Sequence, residues 1–128
     1  MKKLIYLAMA FVLSSCFPGD LKEKMNEQMN KMQVDLADQT FRRMLGEIEM
    51  HKLRNTKYPA SLSELQFMNS FDSINFHAVE HHLLDSGYEL NLHMKAARLN
   101  GTQTEVMLSY PKEFWRGLGC LKSNLKGD

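Results

Sequence analysis

At 128 residues the chain has room for one domain with a modest core. Its formal net charge of +1, with no Lys/Arg cluster to form a basic patch, excludes an electrostatically steered nucleic-acid binder.

Lys2 and Lys3 form a positive n-region, Leu4 to Val12 an unbroken apolar h-region, and Leu13-Ser14-Ser15-Cys16 closes it. The run is too short to cross a bilayer as a helix, which takes about 20 apolar residues. Leu13, the small residues Ser14 and Ser15, and then Cys16 resemble the lipobox of bacterial lipoproteins. That resemblance implies cleavage before Cys16, diacylglycerol on its sulfur, and a further acyl chain such as palmitate on the new amino group. An ordinary signal peptide with a coincidental cysteine is the alternative. One acyl chain holds weakly, at roughly 0.8 kcal/mol per buried methylene, whereas two or three hold firmly. Phe17 is not the aspartate that retains enteric lipoproteins at the inner membrane, so the resemblance implies the outer membrane, facing the periplasm. Loss of Lys2 and Lys3 leaves 14 basic against 15 acidic side chains. Acylation of Cys16 would leave Cys120 as the one free thiol, expected as a small buried apolar residue, with an intermolecular bridge the alternative.

After the tether at 16–20, Asp20 and Glu23 suggest a capping box, and from Leu21 to Asn55 there is no proline and one glycine, Gly46. A helix over 21–55 would be roughly 50 Å long. Its first half carries a narrow stripe, Leu21, Met25, Met29, Met32 and Leu36, at steps of three and four. This is either a stalk, lightly packed or solvated, or a methionine-rich seam for a partner helix, with Met25, Met29 and Met32 the contacts. The second half carries Phe41, Met44, Leu45 and Ile48, a broader face, and only this half is expected to pack within the domain.

Tyr58-Pro59 stops the helix, and Ser61 with Glu64 suggests a second capping box over Leu62, Leu65 and Phe67. The segment 71–86 fits a helix through Phe76, Val79 and Leu83, closed by Ser86-Gly87, or a strand through Ile74, Phe76 and Ala78; the helix is preferred. From Tyr88 the alternation of Tyr88, Leu90, Leu92, Met94 and Ala96 with polar residues predicts a strand, and Thr104, Val106, Leu108 and Tyr110 a second. A two-residue Asn100-Gly101 turn would set the apolar faces against each other. A three-residue loop, Leu99-Asn100-Gly101 with the glycine left-handed, instead pairs Met94 with Val106 and Leu92 with Leu108. Beyond Pro111, Trp115 is expected to plug the open end of the core or to contact a partner. Residues from Lys122 onward read as a frayed terminus.

The run from Glu49 through Tyr58-Pro59 to Ser61-Leu62-Ser63-Glu64-Leu65 resembles the helix end and turn in the globular half of type IV pilins and type II secretion pseudopilins, a likeness covering about residues 35–121. It implies an antiparallel sheet packed on the helix. Asn55 and Thr56 stand where that family commonly has a glycine. A prepilin-peptidase site and a long apolar helix are absent from the sequence, and the lipid would stand in their place. The expected fold class is therefore α+β, a long N-terminal helix packed on a small antiparallel sheet: signal peptide 1–15, tether 16–20, one domain 21–128 with helix 21–55 and head 56–128. A third strand has to come from the ambiguous segments.

His77-Ala78-Val79-Glu80-His81 matches the H-x-x-E-H pattern of inverted zinc peptidases, and a helix would put His77 and His81 on one face. Such enzymes need a distant acidic ligand and a cleft that so short a chain does not supply, so His77 and His81 are only weak metal candidates. No nucleophile elbow, P-loop or dinucleotide glycine pattern occurs, so neither catalysis nor a cofactor is expected. The expectation is a non-catalytic binding or assembly protein anchored through acylated Cys16, an accessory part of a secretion or pilus-type machine, meeting an envelope protein through its stalk and one sheet edge. The alternatives are a free-standing lipoprotein that binds a soluble ligand or inhibits an envelope enzyme, and a metal-dependent hydrolase.

Overall fold

A computed structural model describes residues 19–66 and 75–127. The lipobox with Cys16, Phe67 and the start of the 71–86 segment lie outside the described residues.

Helix α1 spans Gly19–Asn55, 37 residues. It starts two residues earlier than the capping pattern suggested, so Asp20 sits in its first turn rather than at the cap, where its charge still complements the helix dipole. Lys52 and Arg54 occupy the last turn. Thr56 closes the helix in the left-handed conformation (φ 64°) and donates its N–H to Lys52 O at 2.7 Å. A β-branched residue is strained there, at one of the two positions where the resemblance led one to look for glycine. Tyr58 and the buried Pro59 then turn the chain back over the helix. Leu62–Glu64 is a single 3-10 turn. It is not held by the expected capping box: Ser61 makes no side-chain cap, and Glu64 Oε2 accepts from Ala60 N (2.9 Å) instead.

Residues 75–78 form another 3-10 turn, and the chain then extends as β1 (Val79–Leu83) rather than as the expected helix. β1 pairs antiparallel with β2 (Tyr88–Leu92), Leu83 opposite Tyr88, so Ser86-Gly87 belongs to a hairpin turn and not to a helix end. Gly87 is required there: a Cβ would lie 2.2 Å from Gly119 O. β3 (Lys95–Ala97) and β4 (Gln103–Glu105) form a second hairpin with Ala96 opposite Thr104, the predicted register, and Gly101 at φ 85° closes its three-residue loop. Val106 N donates to Met94 O (2.8 Å) in the same register.

That register does not continue to Leu92 and Leu108, because the same edge of β2 is already taken. Tyr88 N donates to Gly119 O (2.9 Å), β5 (Cys120–Lys122) pairs parallel with β2, and the Asn124 side-chain amide satisfies both Leu92 N (2.9 Å) and Leu92 O (2.7 Å). The result is a mixed three-stranded sheet in the order β1-β2-β5 beside the two-stranded β3-β4, on which α1 packs: an α+β fold. The third strand does come from the ambiguous segment, as β1. The C-terminal tail is not frayed, because Leu125 is buried in the core and Tyr110 forms a bridge with Lys126.

The core lies between the second half of α1 and the sheet. Ala37, Phe41, Met44, Leu45 and Ile48 meet Tyr88, Leu90, Leu92 and Cys120. Trp115, in a 3-10 turn over Lys112–Trp115, stands edge-on to Phe41, Tyr110 and Phe114 and donates Nε1–H to Tyr110 O (3.3 Å).

Candidate functional site

Two carboxylates on α1 tie the head to the helix. Glu49 Oε1 accepts from Tyr88 Oη (2.8 Å) and from Gly119 N (2.8 Å), while Oε2 accepts from Tyr58 Oη (3.2 Å). One side chain thus joins the helix, the Tyr58-Pro59 turn, β2 and the approach to β5. Burial, then the neighbouring Glu49, raises the phenols of both Tyr88 and Tyr58, so both stay protonated and donate. Tyr58 fits because residue 119 is glycine, whose Cβ would strike the phenol. Lower on the helix, Asp38 Oδ1 accepts from Tyr110 Oη (2.6 Å) and Arg42 Nε (2.8 Å), and the guanidinium lies over the Tyr110 and Phe114 rings. Burial works against the Asp38 charge, but the bonds from Tyr110 and Arg42 and the cation beside it hold the carboxyl below its usual range. These clusters are fasteners, joining helix to head through bonds from Tyr58, Tyr88, Gly119 and Tyr110. His51 donates Nδ1–H to Lys57 O (3.1 Å), within the turn.

The H-x-x-E-H residues are not a site. In a strand, alternation sends Glu80 and His82 to one face and His81 to the other, and His77 lies exposed in the preceding 3-10 turn, so His77 and His81 do not share a face. Glu80 instead takes His82 Nε2 on Oε1 (2.6 Å) and His93 Nε2 on Oε2 (3.1 Å), and those two bonds hold its carboxyl below the usual value. All three side chains are about half exposed, and each imidazole takes a different oxygen. Among the described residues no group of three or more His, Cys, Asp and Glu is arranged to hold a metal ion. His81 is half-buried against the Tyr88 ring, with both ring nitrogens out of water and without a hydrogen-bond partner. Burial pushes its imidazole below the ordinary value.

Among the described residues, the stripe on the first half of α1 is an apolar face left open along the helix. Leu21, Met25, Met32 and Leu36 are exposed and Met29 is half-buried. This half touches the head lightly, as one of the two stalk readings allowed. The β3–β4 hairpin reaches it, Leu99 N donating to Asn26 Oδ1 (3.2 Å) and Gln33 Nε2 to Ala97 O (3.5 Å). Trp115 is buried and acts as the core plug, offering little of itself to a partner. Cys120 is buried and unpaired, and burial raises its thiol to about 11. Among the described residues no helix is long and apolar enough to cross a membrane. No family model, curated protein or solved structure matches the chain.

Proposed function

We propose that this is a lipid-anchored, non-catalytic protein of the bacterial cell envelope, held through acylated Cys16 and serving as an accessory binding or assembly component of a secretion or pilus-type machine. The observation that carries the reading is the position of the lipobox: Cys16 stands three residues before a 37-residue helix whose second half is fastened to a small sheet. The order of long helix, Tyr58-Pro59 turn and sheet supports the likeness to pilin heads, with the acyl chains in place of an apolar half-helix. Among the described residues β1 is an edge strand, and with Leu83 exposed it is suited to recruiting a partner strand. Of the grooves on the head, those beside His51 and Phe114 hold about 170 and 320 Å³ and both are open. They lie near or below the small end of ligand pockets, about 300 Å³, and the two wider grooves between the stalk and the hairpin tip, about 500 and 540 Å³, are open as well, so that these surfaces suit a partner better than an enclosed ligand.

Detergent-phase partitioning of the wild type against Cys16→Ser tests the anchor. The wild type is expected in the detergent phase and the variant in the aqueous phase, and a mature wild type that stays aqueous sinks the reading. Cross-linking of the acylated protein in its own envelope tests the assembly role. Recovery of secretion or pilus subunits supports it, and recovery of a lone soluble enzyme or small ligand counts against it.

A further inference from the structure

The exposed apolar side chains of the stalk share one face. At 100° per residue, Leu21, Met25, Met32 and Leu36 fall within an arc of about 60° on α1, and Asp20, Glu23 and Glu27 within an equal arc on the opposite side. Lys22 and Lys24 flank the apolar ridge on its two sides. The core-facing side, centred on Ala37, Phe41 and Ile48, is turned roughly 140° from the ridge, so the head does not cover it. Exposure is 40% at Leu21, 38% at Met25, 70% at Met32 and 37% at Leu36.

The β3–β4 hairpin widens this face at its N-terminal end. Where the tip crosses the helix at Asn26, Leu99, 48% exposed, lines with Lys22 and Met25 an open notch of about 500 Å³. Arg98 falls on the far side, beside Glu23 and Glu27. Apolar groups therefore gather on one side of the stalk and three of its four acidic groups on the other, with Asp35 beside the ridge. The ridge begins two residues after Gly19, and Cys16 is three residues before it, a reach of at most about 10 Å.

We infer that the stalk reclines on the lipid surface that holds it, with Leu21, Met25, Met32, Leu36 and Leu99 lodged at the boundary of headgroups and acyl chains. The inference rests on the proposed acylation of Cys16 and gives the stalk a lipid occupant instead of a partner helix. An interfacial helix needs an apolar face, basic flanks that can meet lipid phosphates, and its acids turned away; the segment from Gly19 to Leu36 has the first two and turns three of its four acids away, Asp35 alone bordering the ridge on the Lys24 side. A plane of lipid meets the ridge and Leu99 together, whereas a second helix laid on the ridge would have to share the notch with the hairpin tip. Reclining also turns the acidic side of the stalk away from the bilayer.

The test uses acylated protein in vesicles of phosphatidylethanolamine and phosphatidylglycerol. Cys120→Ala removes the native thiol, and an environment-sensitive fluorophore is attached at Met32→Cys or, on the opposite face, at Glu27→Cys. Quenching by nitroxide-bearing lipid is expected to be at least about threefold stronger at position 32 than at 27. Equal, weak quenching at both positions, with the protein floating with the vesicles and Cys16→Ser left behind, would mean an upright stalk and overturn the inference while the anchor stands. Failure of the acylated protein to float overturns both. Quenching at 32 by a nitroxide on a second protein copy, and not by nitroxide lipid, means helix pairing and likewise overturns it.

Discussion

The two halves of α1 are one continuous helix with opposite fates. From Ala37 to Ile48 the helix is covered by the sheet and tied by Asp38 and Glu49 to tyrosines on the far side of the core. From Gly19 to Leu36 it touches the head through Asn26 and Gln33, while Leu21, Met25 and Met32 stay in the open. Helix propensity is similar in both, so the difference comes from tertiary packing, which supplies most helical stability in proteins. Substitutions in the two halves should therefore separate sharply. Phe41→Ala removes a fully buried ring stacked on Tyr110 and should cost about 3–5 kcal/mol. Met32→Ala should stay within about 0.5 kcal/mol. Urea denaturation of both variants checks this, and equal midpoints would mean that the stalk is packed after all.

A smaller effect is expected at the polar fastener. Glu49→Ala leaves the Tyr88 hydroxyl and Gly119 N–H without their acceptor inside the protein, at a cost of about 1–3 kcal/mol. Glu49→Gln keeps an acceptor oxygen and should recover part of it. If Glu49→Ala unfolds at the same urea concentration as the wild type, the knot between helix and sheet carries no stability and the head is held by apolar packing alone.

Smaller again is the pH response of the head. His81 is held below its ordinary value by burial, so the unfolded chain takes up a proton more readily than the native one. Stability is then complete above the unfolded value of about 6.5 and declines as pH falls below it, levelling off beneath the native value. Glu80 and Asp38, whose carboxyls are held low, lose their contribution only at lower pH, as they protonate. His81→Leu should flatten the slope between neutral and mildly acidic pH, read as the urea midpoint. An unchanged slope would place the response elsewhere.

What could be read beforehand follows the same division between local and tertiary information. The period of two from Tyr88 to Ala96, the parity that chose Leu99-Asn100-Gly101, and the proline-free run to Asn55 are local signals, and the helix end and the register next to the hairpin loop came through, while the Leu92–Leu108 pair did not. Segment 71–86 did not, since Phe76, Val79 and Leu83 satisfy the helical spacing while the chain is extended from Val79; short apolar runs fit both periods. The tail was misread because what orders it is the Asn124 amide standing in for a strand backbone at Leu92, and no periodicity marks such a role. Glu49 was missed for a related reason: its three donors come from positions 58, 88 and 119 and meet only in the folded chain. The stripe on the stalk was legible as spacing, but spacing does not say whether a face turns inward.

The finest comparison lies within the stalk itself. If the hairpin tip is what steadies its first turns, Asn26→Ala should loosen them while leaving the core untouched, because the Leu99 N–H loses its acceptor. A single exposed hydrogen bond contributes about 0.5–1.5 kcal/mol, and here most of that should appear as local opening, not as global unfolding. Amide exchange around residues 20–33 should quicken several-fold, while exchange at 40–48 and the urea midpoint stay at wild-type values. Faster exchange in both halves would mean that the helix opens as one cooperative unit, and the contrast between stalk and packed half would then be one of exposure and not of stability.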